Sequence, residues 1–76
     1  MPDSFVVLDV RELPAPEPLQ KALLTLQELP ETTGLLLIHR KLPQPLIELV
    51  TKQGYATEVE EPEEGLYHIR IWRVSP

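Results

Sequence analysis

A two-layer α/β (α+β) sandwich, with two helices on one face of a four-stranded mixed sheet in the order βαβαββ, is the fold this sequence predicts. Three observations lead there. Two short apolar runs are each followed by a proline-marked amphipathic stretch, and two alternating segments close the chain. The length of 76 residues suits one domain, residues 1–76, and is too short for two. The βαβ crossovers are expected to be right-handed.

Strand one is predicted at Phe5–Val10, a run dominated by β-branched and aromatic side chains ahead of a proline-rich turn. Pro14, Pro16 and Pro18 alternate with Ala15 and Glu17, which suits an extended loop entering a helix near Pro16. Proline is tolerated there because its missing N–H costs little in a first turn. Leu19, Ala22, Leu23 and Leu26 then recur at helical spacing and give one apolar stripe. Leu29-Pro30 ends the helix, since a residue before proline is pushed out of the α region. Leu35–Ile38 is uninterrupted apolar sequence of strand length, expected at the sheet centre and ending at His39. Pro43-Gln44-Pro45 opens helix two, Leu46, Leu49 and Val50 form its stripe, and Gly54 closes it. Tyr55–Glu60 and Tyr67–Trp72 alternate as a strand pair, with Glu61–Gly65 read as the hairpin loop.

Composition excludes several functions. The chain has no cysteine, so it can form no disulfide, thiolate metal site, Fe–S cluster or thiol nucleophile of its own. Its net charge of −5 argues against a general nucleic-acid or anionic-membrane binder, both of which need a positive field. Glu58, Glu60, Glu61, Glu63 and Glu64 match that whole excess and read as a solvated stretch that discourages aggregation at the hairpin. No apolar run approaches the ~18 residues of a membrane span, and MPDSF lacks a signal-like core, so a cytoplasmic location is expected. Asparagine is absent and methionine occurs only at position 1, a bias that fits a heat-adapted proteome.

The stretch Leu8-Asp9-Val10-Arg11-Glu12-Leu13-Pro14-Ala15-Pro16-Glu17-Pro18-Leu19 resembles the opening of the TusA-like (SirA-like) sulfur carriers. There an L-D-x-R/T-G-L segment runs into C-P-x-P and helix one, and the βαβαββ order agrees over essentially the whole chain. In that family the cysteine before P-x-P carries a persulfide. Ala15 holds that position here and Glu12 replaces the usual glycine. A methyl group cannot carry sulfur, so the fold is implied and the carrier chemistry is not. The segment His39-Arg40-Lys41-Leu42-Pro43-Gln44-Pro45-Leu46 is similar to a cysteine-less branch of the superfamily, a domain of unknown function. That branch occurs beside hemerythrin-like or cupin-like domains and in nitrogen-oxide or respiratory gene contexts.

In this topology strands one and two are parallel, and their C-terminal ends and both helix N-termini share one edge, where open α/β sheets bind ligands. Arg11, Glu12, Pro14, Ala15 and Pro16 would there meet His39, Arg40 and Lys41. One reading is a binding site with cations and an imidazole; the other is stiffened loops with solvated charges. Pro16 and Pro18 remove donors from helix one and Glu17 adds a negative charge, so a small anion is expected near Arg40 and Lys41 instead. Trp72 lies on the sheet face opposite the helices, either as a contact anchor or covering the sheet edge. Ser4 and Ser75 sit in no nucleophile elbow, there is no glycine-rich phosphate loop, and His39 and His68 fit no metal-ligand spacing. The expectation is a non-enzymatic binding or adaptor module without cofactor, contacting a protein partner or small ligand, with no nucleic-acid or membrane role. A redox- or nitrogen-oxide-linked component that binds a metal or cofactor through His39 is the alternative.

Overall fold

A computed structural model describes residues 2–74, which run β1 (Ser4–Asp9), α1 (Glu17–Glu28), β2 (Thr33–His39), α2 (Gln44–Lys52), β3 (Tyr55–Glu63) and β4 (Leu66–Arg73). Ser75 lies outside the described residues. The strand order is β1-β2-β4-β3, with β1 and β2 parallel and both other pairings antiparallel. The uninterrupted leucines of β2 are therefore enclosed by neighbours on both sides, as their pattern predicts. From Ser4 opposite Thr33 to Asp9 opposite Ile38, the parallel register keeps a constant spacing along the chain.

Alternation along the strands sends one set of side chains under the helices. Leu35, Leu37, Ile69 and Ile71 are buried from the sheet, and Val10 joins them just beyond β1. Ala22 and Leu26 of α1 and Leu46 and Val50 of α2 complete this core. Every helix residue in that group was marked by its apolar spacing, because a stripe repeating at three and four residues must face one side. Helix α1 stops at Leu29, whose ψ of 141° is extended ahead of Pro30. Gly54 follows α2 at a φ of +93°, a left-handed conformation that closes a helix end at no steric cost.

The hairpin departs from expectation. Glu61–Gly65 is not a five-residue loop: β3 continues to Glu63, β4 begins at Leu66, and only Glu64 and Gly65 turn the chain. A register shift between Glu60 and Glu63 accommodates Pro62, which is tolerated because β3 is an edge strand with one side unpaired. Gly65 adopts a φ of +78°, and its N–H donates to the Glu61 carboxylate at 3.0 Å.

The face away from the helices carries an aromatic cluster. The Phe5 ring lies across Gly34 and meets Trp72 edge-on, with centroids 6.3 Å apart, and the Arg70 guanidinium lies 6.0 Å from the Phe5 centroid. Arg70 also pairs with Glu58 and Glu60 of β3 across the strands. Trp72 is half-buried in this cluster.

Candidate functional site

Parallel pairing of β1 and β2 brings the two strand–helix loops side by side, and a cavity of about 530 Å³ opens between them. That volume lies within the usual range for small-molecule sites, about 300 to 1,000 Å³. Leu37 of the core forms part of it, with Leu19 and Leu46 from the first turns of the helices. Leu13 and Leu42 of the loops, together with five prolines, extend the apolar wall. Arg11, His39, Arg40 and Lys41 supply its polar groups.

Seven of the nine residues singled out from sequence therefore fall on one cavity: Arg11, Pro14, Ala15, Pro16, His39, Arg40 and Lys41. Two do not. Glu12 is exposed and outside the lining. Trp72 belongs to the aromatic cluster and borders a different cleft of about 270 Å³, with Pro2, Asp3 and Thr32 at the far end of the sheet. Its packing against Phe5 on the sheet face opposite the helices sets it apart from the loops.

The electrostatics of the two loops differ sharply. Arg11 grips Asp9 with Nε at 2.9 Å from Oδ1 and Nη2 at 2.7 Å from Oδ2, while its backbone N–H donates to the same carboxylate. These bonds, chiefly from the Arg11 side chain, hold the Asp9 carboxyl down at about 2. The Arg11 charge is thereby compensated. Arg40 and Lys41 have no carboxylate within ion-pair distance among the described residues. Burial, and then the Lys41 charge, push the His39 imidazole below its ordinary pKa, so the ring is neutral at pH 7. Its Nδ1 accepts the Lys41 backbone N–H at 3.2 Å, which leaves the proton of the neutral ring on Nε2.

Both helices start at proline, with Pro16 and Pro43 at their caps and neither bearing a side-chain cap. Glu17 donates back to Pro14 and Gln44 to Leu42, and Pro18 and Pro45 have no N–H. The first-turn donors without a partner among the described residues are thus the N–H groups of Leu19 and Leu46, both residues of the cavity. Together these features allow the site to desolvate an apolar body and fix an anionic group. No group of three metal-ligating side chains converges among the described residues.

The apolar lining was the part missed in the sequence, and one signal would have shown it. Arg11-Glu12-Leu13-Pro14-Ala15-Pro16 and Arg40-Lys41-Leu42-Pro43-Gln44-Pro45 both read R-x-L-P-x-P. The offset between them equals that of the β1–β2 register, so equivalent residues are neighbours across the sheet, as Leu8 and Leu37 show. The cavity is built from two copies of one loop.

A family model described as "Uncharacterized conserved protein (DUF2249)" matches residues 7–73. The chain belongs to this family. A DUF2249 domain with this strand order shares the fold of the SirA-like proteins. The crystal structure of a SirA-like protein from Desulfitobacterium hafniense superposes with a TM-score of 0.75 at 24% identity, covering 86% of this chain and 92% of that one. At that identity the likeness is one of fold. No curated protein matches the chain. No helix among the described residues is long and apolar enough to cross a membrane.

Proposed function

We propose that this chain is a non-enzymatic binding module that recognises a protein segment or small ligand in the cavity between its two R-x-L-P-x-P loops. The observation that carries this reading is the pairing of an apolar cavity of about 530 Å³ with two cations at its border, Arg40 and Lys41, that make no ion pair among the described residues. Covering the apolar wall favours an occupant, and Arg40 and Lys41 stand exposed beside it to pair with a charge that the occupant carries. Ala15, at the position where SirA-like carriers keep a cysteine, contributes surface to that cavity and no reactive atom.

Native mass spectrometry of the chain isolated from its own host tests the proposal. A bound species, small or macromolecular, should appear on the natural protein and be lost from Ala15→Trp, which places an indole at an exposed wall position. Identical bound species on both proteins would remove the cavity from the account.

A further inference from the structure

The two copies of the loop are alike in sequence and unlike in charge balance, and the difference identifies what the cavity lacks. Asp9 and Ile38 occupy equivalent, paired positions. Arg11 therefore finds a carboxylate two residues before it, whereas Arg40 finds an isoleucine. The first loop shows the geometry such an arginine adopts when satisfied, a two-point grip on one carboxylate. Lys41 stands where the first loop has Glu12, so the second loop adds a cation where the first adds an acid.

We infer that the cavity takes a small organic monocarboxylate, its apolar body against the accessible Leu13, Leu19 and Leu42 and its carboxylate paired with Arg40 and Lys41. The N–H group of Leu19 in the first turn of α1, without a partner among the described residues, adds a donor without adding charge. His39 contributes a neutral ring with a donor on Nε2. Asp9, whose carboxyl also feels the Arg40 charge, is held by Arg11, while Glu12 and Glu17 lie outside the lining. A dianion such as a phosphate monoester fits less well, because one of the three cations near the cavity is already neutralised and both helix starts have lost donors to proline.

This inference rests on the binding-module reading. It is tested by calorimetric titration of the full chain with 1-naphthylacetate and with its neutral counterpart 1-naphthylacetamide. The acid should bind once per chain and about tenfold more tightly than the amide, the worth of one charge-assisted hydrogen bond. Arg40→Ala/Lys41→Ala should remove the roughly tenfold advantage of the acid over the amide. Both substituted residues are exposed, so the variant keeps its core. Ala15→Trp should weaken both compounds. Equal affinities for acid and amide, an acid preference that survives the double variant, or no binding of either compound would each overturn the monocarboxylate assignment. The binding-module reading falls separately, when native mass spectrometry finds the same species on the natural chain and on Ala15→Trp.

Discussion

Gly34→Ala should destabilise the protein more while Phe5 is present than without it. A Cβ built at Gly34 would meet Phe5 Cε2 at 2.7 Å and Cδ2 at 2.8 Å, against an ordinary carbon–carbon contact of about 3.5 to 4.0 Å. The ring must therefore retreat by about 1 Å. Retreat weakens the edge-on contact with Trp72, worth about 0.5 to 1.5 kcal/mol, and the Arg70 contact, worth about 0.5 to 1 kcal/mol. The backbone at Gly34 does not have positive φ, so alanine itself is unstrained and restricts the unfolded chain, which stabilises by about 0.4 to 1 kcal/mol. The net expected cost is about 1 kcal/mol. In a Phe5→Ala background the two ring contacts are gone and only Pro2 Cγ, at 3.0 Å, remains tight, so the same substitution should cost less than it does beside Phe5. Urea denaturation of the four proteins of this cycle, at pH 7 and equal m-value, measures both terms. An equal cost of Gly34→Ala in the two backgrounds would refute the packing argument.

Other outcomes follow from the core and the loops. Leu37→Ala removes a fully buried side chain and should cost about 2 to 5 kcal/mol in thermal or urea unfolding, whereas Leu24→Ala at an exposed site should stay within about 0.5 kcal/mol. The Asp9 carboxyl should titrate by NMR at about 2, and Arg11→Ala should return it towards 3.8. Its folded pKa lies below the unfolded one, so Asp9 stabilises above pH 3.8 and that contribution fades as pH falls towards about 2. The His39 pKa is also lowered, here in a base, so the neutral form is the one the fold favours. Stability from this residue is present above 6.5, its ordinary value, and is lost as pH falls through the folded pKa. The denaturation midpoint should consequently drop more between pH 7.5 and 5 for the natural protein than for His39→Gln.

The elements were legible because each is specified locally. Helical spacing at Leu19, Ala22, Leu23 and Leu26, the break at Pro30 and the leucine run of β2 each have one low-energy reading. The hairpin was less legible, since the five glutamates and Pro62 that suggest a loop are also what an edge strand tolerates, and the edge position of β3 is a property of the whole sheet. Charged and proline residues of the site stood out individually. Its apolar walls did not, because Leu37 and Leu46 carry the same spacing signal whether they fill the core or border a cavity. Trp72 illustrates the converse: alternation placed it on the open face, but only the gap left by Gly34 lets Phe5 reach it.

An amide chemical-shift map of the labelled chain, recorded on addition of extract from its host, tests the central claim most directly. Recognition between the two R-x-L-P-x-P loops predicts perturbations concentrated at Arg11, Leu13, Ala15, His39, Arg40 and Leu42, and their absence in Ala15→Trp. Perturbations confined to the β3–β4 hairpin or to the Phe5–Trp72 cluster would contradict it.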